Sequence, residues 1–152
     1  MGEYRRVTHE CTLDSMRPAL AAAIRAYVEK HDLADVAAVA LMCCETVSTR
    51  QKKRLFGSRT EVMLMGILLT PQWLIWAVGK EDEAPGVLAT RLRDIRVEDY
   101  EKTTLYEMMA DTGVNINGLL TGKGVGSAFI GLGAEPAAQR FRKMLKEAVA
   151  QA

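Results

Sequence analysis

The sequence contains little of the chemistry that metal proteins and disulfide-rich proteins use. It has only two histidines, His9 and His31, and three cysteines, Cys11, Cys43 and Cys44, in 152 residues. An odd number of cysteines without an export signal argues against a disulfide framework. The adjacent Cys43 and Cys44 also lack the spacer that zinc motifs place between two thiolates. We therefore expect no metal and no cofactor, and we expect the cysteines to pack as small apolar residues.

An excess of charge and a long apolar run are also missing. Twenty basic and nineteen acidic residues give a formal net charge of +1, so no overall field attracts nucleic acid. The apolar run at residues 62–69 is too short to cross a membrane. The first residues show no secretory signal, so we expect a cytoplasmic protein. Trp73 and Trp76 lack a basic groove on the same strands, and we predict no nucleic-acid binding.

Groups suited to catalysis are few. The carboxylates concentrate at residues 81–83 and at Glu98-Asp99-Tyr100-Glu101, and neither cluster has the apolar neighbours that separate the pKa values of paired acids. The second cluster, with Tyr106 and Glu107, is predicted to form an acidic edge patch. We expect no catalytic residues and no enzymatic activity.

The glycines at residues 113–133 do not form a phosphate-binding loop. Thr121-Gly122-Lys123-Gly124 lacks the Ser or Thr that should follow the lysine, and Asn117 occupies the position of the first glycine. Hairpin turns and bulges that need a positive φ explain these glycines better.

The most informative segment is the middle of the chain. Residues 62–69 and 73–78 are apolar on both faces and are joined by Thr70-Pro71-Gln72, which is typical of strands in a sheet covered on both sides. Trp73 and Trp76 should face opposite sides, with Trp76 in the core. Strands are predicted at residues 36–48, 61–70, 72–78, 87–92, 94–100, 114–118 and 127–132, and a helical turn at 103–110.

Two amphipathic helices flank these strands. The last helix should run from Pro136 to about residue 150 and bury Phe141. The first should run from about residue 15 to His31, with an apolar stripe of Leu20, Ile24, Tyr27 and Val28. This stripe must either dock on its own sheet or pack against another copy. We favour self-association, and predict that these four residues form an interaction surface.

Seven short strands followed by one amphipathic helix resemble the pleckstrin-homology-like (PH-like) fold. Residues 68–76 look like the "LT-x-x-x-L" hairpin of bacterial PH and GRAM-type domains, and residues 91–98 are similar to a later strand of those domains. The resemblance covers residues 36–150, although Phe141 replaces the tryptophan usual in the last helix of eukaryotic PH domains. It implies an α+β fold, a barrel of about seven antiparallel strands in two sheets, capped by a C-terminal helix. Residues 1–35 would be an extension with an extra helix, and residues 36–152 the PH-like domain.

The densest positive charge lies in the predicted loop at residues 50–59. Its cations are Arg50, Lys52, Lys53, Arg54 and Arg59. The resemblance places this loop where lipid-binding PH domains hold inositol phosphates. Lys52 and Arg54 supply a K/R-x-R pair, but residues 36–48 lack the basic residue that completes such a site. The loop would therefore bind anionic lipid or an acidic partner, or only be solvated.

Three classes of function follow. The first is a non-catalytic binding or protein-interaction module, self-associating or with a protein partner. The alternative is a peripheral binder of anionic lipid head groups through residues 50–59. The third is a small-molecule binder or enzyme with a pocket at the end of the barrel that lacks the helix.

Overall fold

The structure is a computed structural model that describes residues 4–55 and 57–152, with the backbone alone at residues 52–54 and 58. Its described strands are β1 (Arg5–Cys11), β2 (Met42–Arg54), β3 (Gly57–Leu69), β4 (Trp73–Lys80), β5 (Gly86–Arg91), β6 (Arg96–Asp99), β7 (Gly113–Thr121) and β8 (Gly124–Gly131). The α-helices are α1 (Pro18–Lys30), α2 (Ala34–Ala38), α3 (Leu105–Met108) and α4 (Pro136–Gln151). Short 3-10 turns occupy Leu92–Asp94 and Tyr100–Lys102.

The strands form two antiparallel sheets in chain order. One has five strands, β1-β2-β3-β4-β5, and the other has three, β6-β7-β8. The prediction of an α+β fold with two antiparallel sheets and a C-terminal helix is therefore confirmed. No strand pairing joins the two sheets in the described residues, so the sheets are not closed into a barrel. The PH-like barrel stays a prediction.

The apolar parts of β3 and β4, residues 62–69 and 73–78, pack against cores on both faces of the sheet, as their sequence predicts. Ile67 and Trp76 face a core shared with α4 and the second sheet, which we call the α4 core. Leu68 and Ile75 face a second core beneath helix α1, the α1 core. All four side chains are buried. Alternate residues of these parts thus enter different cores, which explains why residues 62–69 and 73–78 carry no polar face.

Helix α1 packs on its own sheet, so its apolar stripe is not an exposed interaction surface. Leu20, Ile24 and Val28 are buried in the α1 core, and Tyr27 packs partly against it. Gly66 of β3 allows close packing of this helix, because a Cβ atom there would lie 3.2 Å from Leu20 Cβ. The stripe is therefore not free to contact a second copy in this structure, and self-association stays a prediction. Self-association through it would require α1 to leave its sheet.

Helix α4 covers the opposite face and begins at Pro136, as predicted. Phe141 is buried in the α4 core, and Trp76 is buried in the same core, which confirms both expectations. Among the described residues, no helix is long and apolar enough to cross a membrane.

The acidic cluster at residues 98–101 fastens α4 and is not an open acidic patch. Arg142 Nη1 lies 2.9 Å from Asp99 Oδ1 and 2.8 Å from Glu101 Oε2, and Lys146 Nζ lies 2.8 Å from Asp99 Oδ2. Partial burial alone would raise the pKa of Asp99, but the hydrogen bonds and charges of Lys146 and Arg142 together lower this pKa. Two of the acids are therefore neutralised by the last helix.

Strand β1 was not predicted, and residues 5–30 contribute a strand and a helix to the same fold. β1 pairs antiparallel with β2 along its whole length. The bidentate guanidinium of Arg6 lies 2.9 and 2.7 Å from the Asp111 oxygens, and it donates to Ser48 Oγ at 2.6 Å. Arg6 thereby links the first sheet to the segment that leads into β7.

Strands β2 and β6 are among those whose boundaries differ from the sequence prediction. Residues 34–38 form helix α2, and the strand predicted from residue 36 begins only at Met42. The strand predicted from residue 94 begins at Arg96, after the 3-10 turn at Leu92–Asp94. Residues 92–94 include the charged Arg93 and Asp94 and form a turn between β5 and β6.

Candidate functional site

The basic segment at residues 50–59 is not a loop. β2 and β3 continue through it as a paired hairpin, in which Lys52 lies opposite Arg59 and Arg54 lies opposite Gly57. The side chains of Lys52, Lys53 and Arg54 lie outside the described part of the structure. Their predicted role in ligand binding therefore stays a prediction.

The two described arginines of this segment lie among acids. Arg50 Nη2 is 3.2 Å from Glu61 Oε1, and the Arg50 guanidinium lies 4.9 Å from the ring centre of Tyr4. Arg59 lines a depression of about 230 Å³ together with Glu61, Glu81, Asp82 and Lys80. The described surface there has mixed charge, which weakens its attraction for an anionic membrane.

The cysteines are not arranged for chemistry. Cys43 belongs to the α1 core and Cys44 to the α4 core, as expected for neighbours on a strand. Burial raises the pKa of Cys11 to about 12, with smaller contributions from Glu45 and Cys43, and burial also raises the pKa values of Cys43 and Cys44. Protonated thiols are poor nucleophiles and poor metal ligands. In the described residues, no group of three or more His, Cys, Asp or Glu side chains could hold a metal.

A depression lies at one end of the five-stranded sheet. It has a volume of about 580 Å³ and is lined by Pro71, Gln72, Trp73, Arg91, Arg93, Gln151 and Ala152. We call it the arginine groove. Its residues come from the turn before β4, the end of β5, the 3-10 turn that follows and the end of α4.

A tight turn and a strand register position the groove. The Thr70 hydroxyl oxygen accepts the Trp73 N–H at 2.8 Å and the Gln72 N–H at 3.2 Å, which fixes the turn at Pro71. Trp73 then lies directly opposite Arg91 in the pairing of β4 with β5. The guanidinium of Arg91 lies over the Trp73 ring at 5.4 Å from its centre. This cation–π contact orients the Arg91 side chain at the sheet end.

The charge of the groove is positive and poorly neutralised. Among the described residues, Arg91 makes no ion pair, and Arg93 has only a long contact of 3.9 Å with Asp94. The Arg93 side chain is 65% exposed, and Arg91 is also exposed. Two accessible guanidinium groups beside an aromatic ring and the Gln72 amide are suited to binding planar anions, such as carboxylate or phosphate groups.

The groove was not identified from the sequence, although each part was visible. The sequence pattern predicts only a stacking or core role for Trp73 and only a position in a strand for Arg91 and Arg93. The register that places Trp73 opposite Arg91 could have been derived from the two hairpins. The contribution of Gln151 and Ala152 could not, because it depends on where α4 ends in space.

Comparisons with protein-family models, with curated proteins and with solved structures found no match for this chain. The geometry of the groove is therefore the main basis for a functional proposal.

Proposed function

We propose that this chain is a non-catalytic protein-interaction module of PH-like type, and that its arginine groove binds an acidic segment of a partner protein. The observation that carries the proposal is the pair Arg91 and Arg93, two exposed guanidinium groups without a close acidic partner among the described residues. Trp73 beside them supplies apolar contact area for the rest of the segment.

The strand order supports the PH-like part of the proposal. When β1 and α1 are set aside, β2–β5 and β6–β8 are groups of four and three antiparallel strands followed by a long helix. This order agrees with two sheets and a capping helix. Fold analogy does not carry function, and the binding claim rests on the groove.

An acidic protein segment fits the groove better than a small molecule does. The groove is an open depression at a sheet end, whereas small-molecule sites usually enclose most of their ligand. Arginine enrichment next to an aromatic residue is typical of protein interfaces.

Peripheral binding of anionic lipid through residues 50–59 remains the competing proposal. It would require Lys52, Lys53 and Arg54 to outweigh Glu61, Glu81 and Asp82, which lie in the depression beside Arg59. It predicts co-sedimentation with phosphatidylserine vesicles that salt suppresses. It also predicts that charge reversal at residues 52–54 abolishes this co-sedimentation.

The test compares two variants with the same change in charge. Arg91→Glu/Arg93→Glu alters the groove, and Lys123→Glu/Lys143→Glu alters two exposed cations elsewhere. The probe is a fluorescein-labelled oligoglutamate peptide, measured by anisotropy. We expect the groove variant to lose at least about tenfold in affinity, because each charge-assisted hydrogen bond contributes more than a neutral one. The control variant should lose far less.

Two results would contradict the proposal. Equal losses in both variants would show that the probe senses only net charge. Wild-type affinity in the groove variant, together with vesicle binding that depends on residues 52–54, would favour the lipid proposal instead.

A further inference from the structure

The free edge of β5 leads directly into the arginine groove, because Arg91 is both the last residue of β5 and a wall of the groove. From this continuity we infer that the acidic segment docks as an added β-strand along β5, with its acidic end in the groove. The inference rests on the proposed function and adds the conformation and direction of the bound segment.

The hydrogen-bond register shows which groups of β5 already have partners. The Leu92 N–H donates to the Gln72 carbonyl at 2.9 Å, next to the pair Trp73–Arg91. In an antiparallel ladder, residues that bond to the neighbouring strand alternate with residues that do not. Thr90 and Leu88 are in phase with Leu92, so their backbone groups bond to β4.

The intervening residues therefore point away from β4. The backbone N–H and C=O groups of Val87 and Ala89 lie on the outer side of β5, which is the last strand of its sheet. Backbone bonds outside the regular elements include none to Val87 or Ala89 in the described part of the chain. Such an edge pairs readily with another extended segment, because each added bond satisfies groups on both chains.

The side chains along β5 indicate the composition of the added strand. Leu88 is 45% exposed, and its side chain points to the opposite face of the sheet from that of Arg91. An acidic residue opposite Arg91 and apolar residues on the Leu88 face would form favourable cross-strand pairs. The loop that precedes β5 contains Glu81, Asp82 and Glu83, which disfavours acids at that end. In an antiparallel arrangement the acidic end is the N-terminal end of the segment.

The probe follows from this pattern. It is a capped peptide of about eight residues, long enough to pair with all of β5, with two glutamates at its N-terminal end followed by alternating valine and threonine. A second peptide has the same sequence with N-methylated valine and threonine residues, so it keeps the charge but loses backbone donors. Amide hydrogen exchange in the protein, followed by NMR, reports the strand edge.

We expect the first peptide to slow exchange at Val87 and Ala89 and to leave Leu88 and Thr90 almost unchanged, since the latter already bond to β4. The N-methylated peptide should bind at least about tenfold more weakly, since it loses several backbone hydrogen bonds. The Arg91→Glu/Arg93→Glu variant should also bind the first peptide more weakly.

Each other outcome rejects a distinct statement. Equal binding of the two peptides, with loss in the arginine variant, overturns strand addition and leaves the groove as the binding site. If the Arg91→Glu/Arg93→Glu variant keeps full protection at Val87 and Ala89, the groove has no role in binding, and that part of the proposed function is overturned. No binding of the first peptide to the wild-type protein at millimolar concentration overturns strand addition at this edge.

Discussion

The two edges of the five-stranded sheet, β1 and β5, differ in whether their outward backbone groups have hydrogen-bond partners. At β1, the Thr8 N–H donates to Glu135 Oε1 at 2.9 Å, and the Thr8 hydroxyl accepts the Gly133 N–H at 2.9 Å. At β5, the outward groups of Val87 and Ala89 have no backbone partner in the described part of the chain. An exposed edge invites unwanted pairing, and proteins usually protect it. The chain thus protects the edge far from the arginine groove and leaves the adjacent edge accessible, which is why we connect that edge with binding.

The largest effect on the free energy of unfolding should come from replacing Arg6 in β1, the strand at the protected edge of the sheet. The side chains of Arg6 and Asp111 are only 10% and 19% exposed. Arg6→Met should therefore lower the free energy of unfolding by about 3 kcal/mol, since removing one partner of a largely buried pair leaves the other charge uncompensated. Chemical denaturation measures this change. Arg6→Met/Asp111→Asn should recover part of the loss, and a double variant as unstable as the single one would contradict the pairing.

A smaller effect on the same edge is expected at Thr8. This side chain is buried, and its hydroxyl lies 2.8 Å from the Thr46 hydroxyl as well as accepting the Gly133 N–H. Thr8→Val keeps the shape and should cost about 2 kcal/mol, because buried polar groups lose their partner. Denaturation should be compared with Thr49→Val, where the only described contact of the hydroxyl is a long one of 3.5 Å. Equal costs in the two variants would show that the closed edge does not depend on this hydroxyl.

Low pH should lower the stability of the protein by weakening the ion pairs between Asp99 and helix α4. The pKa of Asp99 is lower in the folded protein than its ordinary value of 3.8. The unfolded chain therefore binds more protons near this value, and stability falls as the pH drops through it. We expect a decline between about pH 5 and 3 that is shallower in Asp99→Asn. Urea denaturation over this range measures it, and an unchanged slope in the variant would assign acid sensitivity to other carboxyl groups.

The smallest effect on stability should come from a substitution in β5, the strand at the unprotected edge of the sheet. Leu88→Lys changes a side chain that is 45% exposed, and the free energy of unfolding should change by only about 0.5 kcal/mol. The added charge should nevertheless discourage pairing along β5. The variant should therefore bind the glutamate–valine–threonine peptide more weakly while unfolding almost as the wild type does. A large loss of stability would show that Leu88 contributes to the core and that the edge is less open than its exposure indicates.

The parts of the fold that depend on local patterns could be predicted from the sequence. β3 and β4 are apolar on both faces, and their two-sided burial follows directly. Helix α4 carries one apolar stripe behind Pro136, and Phe141 is buried where the stripe predicts. In both cases the periodicity and the burial arise from the same few consecutive residues.

Features that depend on distant partners could not be predicted in this way. β1 shows no apolar alternation, because its buried residue Thr8 is satisfied by Thr46 and Gly133. The apolar stripe of α1 predicts packing against a second copy, whereas the helix docks on the second apolar face of β3 and β4. Gly66, which allows the helix to approach that face, was the signal in the sequence. The arginine groove depends on the register of two hairpins and on the end of α4, and composition alone does not bring these together.

The link between Arg6 and Asp111 also has a consequence for how the molecule is made. These partners are separated by 105 residues, and Thr8 and Glu135 by 127. During synthesis the chain emerges from its N-terminus, so Asp111 and Glu135 leave the ribosome long after β1 does. The hairpins of β2–β5 have their partners nearby and should pair early, whereas long-range contacts form slowly. Both edges of the sheet are therefore unprotected until residues 133–135 have been synthesised. These residues then protect the β1 edge, and the β5 edge stays open.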